Sequence, residues 1–288
     1  MYYYIVNPTA GNGAIRGLQD KLRARLTELG IGGEWAKTTA PGEATKMAKA
    51  AIAKGHTTIV AVGGDDTVNE VINGIAKENI AVGIIPIGNS NRIAGRLGIE
   101  SWQQACEVLA ARRLTPYSLI AAGQNFFLST LTLGFETDVD KHVEAPSEGV
   151  RGKLSTLRQS WGHAKSYEPL KCRIVADDNL TIEASIFSLS VSNQKFDNPL
   201  ADNRLVVSFS DRPKGRQLGS YLWNRSHTNS PLQEAPTSRF LAGRVVIETT
   251  PVTGIMVDGK VAGRTPIAIR LTDRRVRFIT EKSAGFHA

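Results

Sequence analysis

Thr58-Ile59-Val60-Ala61-Val62-Gly63-Gly64-Asp65-Asp66-Thr67-Val68-Asn69-Glu70-Val71-Ile72-Asn73-Gly74 decides how this chain folds. An apolar, β-branched run reads as a buried strand. The glycine pair reads as a tight turn, and the amphipathic stretch after it as a helix. Glycines let the backbone approach a ligand closely, and the first turn of a helix offers N–H groups to an anion. Asp65, Asp66, Thr67, Asn69 and Glu70 crowd that turn. A packed strand-to-helix turn has no folding need for so many polar groups. A phosphate site at Gly63 and Gly64 is therefore expected. Asp66 is the odd member, a second carboxylate where a phosphate would sit.

Strands and helices alternate around this stretch. Residues 2–6 and 80–85 read as strands, and residues 18–29, 42–53 and 68–76 as helices. A further helix carries Trp102, Ala105 and Leu109. This pattern predicts a three-layer α/β domain with a parallel sheet, whose ligands bind beyond the carboxyl ends of the strands. Three turns rich in Gly and Asn fall there. They are Asn7-Pro8-Thr9-Ala10-Gly11-Asn12-Gly13, the Gly63–Asn69 turn, and Gly88-Asn89-Ser90-Asn91.

From about Ser118 the period changes to two. Residues 126–133, 183–191, 205–209, 244–248, 254–257, 267–271 and 276–280 read as strands of an antiparallel β-sandwich. The expected organisation is an α/β nucleotide-binding domain over 1–115 and an all-β substrate domain over 116–280. A tail over 281–288 would be able to return to the first domain. Two basic stretches, 151–165 and 214–225, interleave Lys and Arg with Leu154, Leu157, Trp161, Leu218, Tyr221, Leu222 and Trp223. Each fits either a helix packed on the sandwich or one lying on an anionic membrane.

An apolar fraction of 41% and four Trp exclude a disordered chain. Net charge of +8 favours anionic partners such as nucleotides or a membrane surface. No nucleic-acid-binding module accompanies it. The only cysteines, Cys106 and Cys172, have no metal-ligand spacing. With no leader pattern at residues 1–6 and no apolar stretch long enough to span a bilayer, the expected location is cytoplasmic, with peripheral membrane association allowed.

Taken in order, the motifs resemble the diacylglycerol kinase and sphingosine kinase catalytic-domain family, in its bacterial soluble lipid-kinase form. Asn7-Pro8 with Gly11 resembles the family's first nucleotide loop. Thr38 before Gly42-Glu43-Ala44 resembles its Thr-x-x-x-Gly-Asp-Ala segment. Gly63-Gly64-Asp65-x-Thr67-x-Asn69-Glu70-Val71 resembles its Gly-Gly-Asp-Gly-Thr-x-Asn-Glu-Val signature. Pro86-x-Gly88-x-x-Asn91 with Ala94 resembles Pro-x-Gly-Thr-x-Asn-Asp-Phe-Ala. Gly134-Phe135-Glu136, Asn193 and Asp258-Gly259 match later landmarks. NAD kinases share the Gly-Gly-Asp motif, but Asn69-Glu70 and the Pro86 segment favour the lipid-kinase branch.

The resemblance implies ATP and Mg²⁺ as cofactors and transfer of the γ-phosphoryl group to the hydroxyl of a lipid presented at a membrane surface. It implies nucleotide contacts from Asn7, Pro8, Gly11, Thr38, Gly63, Gly64, Asp65, Asp66, Thr67, Asn69, Glu70, Gly88, Asn89 and Asn91. It implies catalytic roles at Asp65, Asp258 and Lys260, and a metal ligand at Asp202. A nucleotide and a lipid are the expected partners, nucleic acid is not, and a homodimer is left open. The chain departs from the family at several places. Asp66 replaces glycine, Asn89 threonine, Arg92 aspartate, Ile93 phenylalanine and Lys260 glutamate. These changes swing the charge of one cleft from negative toward neutral, and Asp66 is expected to pair with Arg92 or Lys260.

Overall fold

Buried aliphatic strands build the first sheet. β1 (Tyr2–Val6), β3 (Thr58–Gly63) and β4 (Ala81–Pro86) are almost continuously buried, as strands covered on both faces must be. The computed structural model describes residues 1–75, 78–88, 91–142, 150–193, 203–227, 237–257 and 260–281. The side chains of 140–142, 150–156, 223–227, 237 and 260 are outside that description. Asn89, Asp202, Asp258 and Gly259, and the Lys260 side chain, therefore lie outside the described residues.

The described chain divides into two units. The first takes in residues 1–128 and 272–281, the second residues 129–193 and 203–271.

In the first unit β2 (Gly33–Lys37) pairs with β1, β1 with β3, and β3 with β4, all parallel. The second half of the long strand β16 (Ile267–Ile279) adds to β4, also parallel, through Arg277 and Phe278. The chain leaves β1 for one side and returns to its other side at β3. That makes the β1/β3 boundary the switch point where open α/β sheets bind ligands. The helices are α2 (Ile15–Glu28), α3 (Glu43–Ala53), α4 (Asp65–Ile75), the short α5 (Arg92–Arg96) and α6 (Trp102–Ala111). A single turn, α1 (Ala10–Gly13), contains two left-handed residues, Gly11 and Asn12. Leu22, Leu26, Ala48, Val71, Ile72 and Leu109 join the strands in one core.

The first unit continues past Pro116 because β5 (Leu114–Ala122) pairs with β16 and with the short β6 (Asn125–Phe127). The Thr115 and Thr280 hydroxyls meet at 2.8 Å beside it. Asn73 on α4 clamps this hairpin. Its Nδ2 donates to the Phe126 carbonyl at 2.7 Å, and its Oδ1 accepts the Phe126 N–H at 2.8 Å. Asn73→Ala leaves both groups without that partner and is expected to cost about 1–3 kcal/mol. A melt read by circular dichroism should fall by roughly 2–12 °C. An unaltered melt would show that the clamp contributes nothing.

The second unit holds two antiparallel sheets. One orders β9 (Leu180–Ile186), β8 (Leu170–Ala176), β13 (Arg244–Thr250) and the first half of β16. β8 and β13 alternate buried and exposed, so one face is solvated. The other sheet orders β12 (Thr237–Ala242), β11 (Leu205–Ser210), β10 (Ser188–Asn193), β7 (Thr130–Gly134), β14 (Gly254–Val257) and β15 (Lys260–Arg264). Its inner strands β10 and β11 are largely buried on both faces, whereas the edge strand β12 is mostly exposed.

Three helices belong to this unit, α7 (Phe135–His142), α8 (Val150–Ser166) and α9 (Arg216–His227); the basic stretch 151–165 lies within α8, and most of 214–225 within α9. Leu157 and Trp161 pack against Phe135, Phe187, Leu218, Tyr221 and Leu222. Those apolar faces are therefore interior, while Lys165, Lys214 and Arg216 are exposed. No helix among the described residues is long and apolar enough to cross a membrane.

Sequence and structure differ in instructive places. The run 183–191 reads as one strand but is two, because the chain changes sheets at Phe187. Its N–H donates to the Ser210 carbonyl and its carbonyl accepts from the Phe135 N–H, both at 2.8 Å. The run 126–133 is likewise split into β6 and β7. Conversely, 267–271 and 276–280 form a single strand, with Thr272 Oγ1 donating to the Leu119 carbonyl between them.

Candidate functional site

Three loops at the carboxyl ends of β1, β3 and β4 are held together by backbone contacts that only glycine permits. Gly11 is left-handed, at φ +57°, and a Cβ there would lie 2.1 Å from the Ile87 carbonyl oxygen. A Cβ on Gly88 would lie 2.5 Å from the Gly64 Cα and 2.9 Å from Asn91 Oδ1. The β1 loop thus rests on the β4 loop, and the β4 loop on the β3 loop. The strand ladder extends into them, since Asn7 N donates to the Val62 carbonyl and Ile87 N to the Gly63 carbonyl.

Side chains complete the assembly. Asn7 Oδ1 accepts from the Thr9 N–H at 3.0 Å and the Thr9 hydroxyl at 2.8 Å. Asn7 Nδ2 donates to Thr67 Oγ1 at 3.3 Å, tying the first loop to the start of α4. Thr38 is buried, and its N–H donates to the Val6 carbonyl at 2.9 Å. Asn91 folds back on the turn, accepting from the Gly88 N–H at 2.9 Å and donating to the Gly88 carbonyl at 2.7 Å. The Gly64 carbonyl accepts from the N–H groups of Thr67 and Val68 as α4 begins.

Asp65 is the buried charge of the site, with its side chain 6% exposed. It caps α5 rather than its own helix. Oδ2 accepts the Arg92 N–H at 3.1 Å and Oδ1 the Ile93 N–H at 2.9 Å. The Arg92 Nε lies 3.6 Å from Oδ2. The expected pairing of Asp66 with Arg92 or Lys260 is therefore corrected for Arg92: its described ion pair is with Asp65, and the Lys260 side chain lies outside the described residues. The reason is local, because the helix that presents the Arg92 side chain is the one Asp65 caps. Asp66 is half-buried in the first turn of α4, where the helix dipole favours a carboxylate.

Glu70 faces the neighbouring helix. Its Oε2 accepts the Ala44 N–H at 3.2 Å, and its carbonyl accepts the Thr45 hydroxyl at 2.8 Å. It thereby satisfies a first-turn N–H of α3. Glu43 serves the turn before α3, where the Thr39 N–H, and then the Thr39 hydroxyl, hold its carboxyl below the usual range. Pro8, Gly63, Gly64 and Asn69 lie in these same loops or on the first turns of α4.

The structure thus brings together Asn7, Gly11, Gly63, Gly64, Asp65, Thr67, Gly88 and Asn91. Thr38 and Glu70 stand behind them, on the β2 and α3 side. In the second unit, Glu136 is buried and accepts the Tyr221 hydroxyl at 3.0 Å. Among the described residues, no three of His, Cys, Asp and Glu converge as a metal site would require. Sequence reasoning missed Arg92 as Asp65's partner. The available signal was an arginine directly after a glycine turn that an aspartate was expected to complete.

Comparison with known proteins agrees with this geometry. Residues 1–122 match the diacylglycerol kinase catalytic domain. The chain is 27% identical to a diacylglycerol kinase of Bacillus subtilis over 194 residues, covering 66% of this chain and 64% of that one. The match thus spans just under two thirds of that relative's length. A crystal structure of a Bacillus anthracis protein assigned as a diacylglycerol kinase shares the fold. It has a TM-score of 0.77 and 22% identity, over 97% of this chain and 95% of that one. An NAD kinase of Archaeoglobus fulgidus in complex with ATP is more distant, at a TM-score of 0.52 and 11% identity over 99% and 95% of the two chains.

Proposed function

Because residues 1–122 belong to the diacylglycerol kinase catalytic domain family, we propose that this protein is an ATP-dependent lipid kinase. The loops after β1, β3 and β4 hold the triphosphate, and the acceptor is a hydroxyl of a diacylglycerol- or sphingoid-type lipid. The observation that carries this reading is the close packing of those loops, Gly11 on the Ile87 carbonyl and Gly88 on Gly64, beside the β1/β3 switch point. It leaves backbone N–H groups and the start of α4 where an anion is favoured.

In the transfer, the acceptor oxygen forms a bond to the γ-phosphorus as the bridging bond to the β-phosphate breaks. ADP leaves, and the hydroxyl proton passes to a base. Such chemistry needs positioning and charge neutralisation above all. Asn7, Thr67 and Asn91 hold the loops in register. Asp65 acts by fixing α5, since both of its oxygens already accept backbone N–H groups. Asp258 is the proposed base. Lys260 as an ammonium cannot accept a proton, and would hold a phosphoryl oxygen instead. Mg²⁺ bound to the phosphate oxygens would neutralise charge that develops on them. The described residues fit the phosphate chain, but they do not by themselves assemble a carboxylate cage for that ion. The acceptor lipid is presented at a membrane surface, with exposed Lys165, Lys214 and Arg216 of the second unit favouring anionic headgroups.

The expected result of incubating the protein with γ-labelled ATP, Mg²⁺ and a panel of diacylglycerol and sphingoid acceptors is label in the extracted lipid. ATP binding with no labelled lipid would contradict kinase turnover. It would leave the second reading, a family member that binds nucleotide or lipid without transfer. The Asp65–Arg92 pair favours that second reading, because it draws a carboxylate of the site into an ion pair.

A further inference from the structure

We infer that Arg92 is a phosphate-binding residue of the nucleotide site, and that its charge lowers the dependence of nucleotide binding on a divalent cation. This rests on the nucleotide reading of the three loops. Arg92 is the first residue of α5 and directly follows the turn whose Gly88 backbone packs on Gly64. Its own N–H and that of Ile93 are fixed on the Asp65 carboxylate. The base of the side chain is therefore held against the loops proposed to carry the phosphates.

The pair is asymmetric in exposure. The Asp65 side chain is 6% exposed and that of Arg92 is 29% exposed. The carboxylate is the buried end of the pair, and the guanidinium side chain is the more exposed one. A guanidinium is a planar fork of N–H donors, so one edge can lie along a carboxylate while another engages a phosphate. A lysine ammonium is a compact point charge and cannot divide its donors in that way. The Asp65 contact also reduces the side-chain freedom lost when a ligand binds. Asp65 and Asp66 are the acidic groups of the first turn of α4. Without Arg92 they would repel a triphosphate, and a divalent cation would have to offset them. With Arg92, part of that offset is covalently present.

The test is isothermal titration of ATP, ADP and adenosine into the full chain, with Mg²⁺ and separately with EDTA, for the wild type, Arg92→Gln and Arg92→Lys. Arg92→Gln is expected to weaken ATP and ADP binding in EDTA by about tenfold to a hundredfold, the value of one charge-assisted contact. The loss should shrink in Mg²⁺, adenosine affinity should not change, and Arg92→Lys should fall between. Equal ATP affinity for wild type and Arg92→Gln in EDTA would overturn the inference alone. So would parallel losses for ATP and adenosine, which would mean a structural role. Should Arg92→Gln melt early, Arg92→Lys carries the comparison. A wild type that binds neither ATP nor ADP in either buffer would instead overturn the nucleotide reading, and this inference with it.

Discussion

Asp65→Ala is expected to lower the melting temperature by roughly 6–12 °C and to weaken ATP binding tenfold or more, corresponding to about 3 kcal/mol of lost stability. The carboxylate accepts two backbone N–H groups at the start of α5 and faces the Arg92 guanidinium, all close to or within hydrogen-bond distance. Hydrogen bonds to a charged acceptor contribute about 1.5–3 kcal/mol each, and removing one member of a largely buried pair leaves the other uncompensated. The full sum is not expected, because Arg92 is partly exposed and can turn to solvent. Asp65→Asn keeps one acceptor oxygen and places an NH₂ against the second N–H, so it should fall between wild type and alanine. Scanning calorimetry and nucleotide titration on the same samples decide the outcome. A variant that melts like wild type but loses only phosphoryl transfer would mean that Asp65 acts on the reacting groups. The positioning role assigned to it would then be wrong.

Gly88→Ala should have the largest effect on nucleotide binding relative to the atoms added. One methyl group would sit 2.5 Å from the Gly64 Cα and 3.1 Å from the Gly64 nitrogen. Backbone cannot rotate away as a side-chain tip can, so the β3 and β4 loops must separate. Strain of this kind costs about 1–3 kcal/mol of stability. A displacement of about 1 Å in a positioning element can cost about a hundredfold in rate, and a comparable loss of kcat/KM for ATP is expected. Gly95→Ala is the internal control. It lies in α5, where an added Cβ meets nothing within 4 Å. Alanine there should leave the site untouched and stabilise the helix by up to about 1 kcal/mol. If both variants behave alike in the nucleotide assay, the close approach of Gly88 and Gly64 has no role in binding.

Much of the first unit is legible from sequence because its strands are buried on both faces. Thr58–Gly63 and Ala81–Pro86 are continuous apolar runs ending in glycine turns, and that signal depends only on neighbouring residues. β2 (Gly33–Lys37) is an edge strand with glutamate and lysine in it, so no apolar run announces it. The sheet change at Phe187 leaves only a faint mark in the sequence. Two successive apolar residues, Ile186-Phe187, shift the alternation by one where the hydrogen-bond partners switch from β8 to β11 and β7. Among site residues, the glycines and Asn7 follow from local turn chemistry. Asp65's true partners, Arg92 and Ile93, lie far along the chain in a separate helix. No spacing rule within the Gly63–Gly74 stretch could have placed them. Glu70 is similar, since its acceptor role at Ala44 depends on how α3 and α4 cross.

The most direct test of the central claim is a crystal structure of the full chain with a non-hydrolysable ATP analogue. The expected result is a phosphate chain lying against the backbone of Gly11, Gly64 and Gly88, with the Arg92 side chain turned to it. Phosphates bound anywhere else, with these three loops unchanged and bare, would contradict the account.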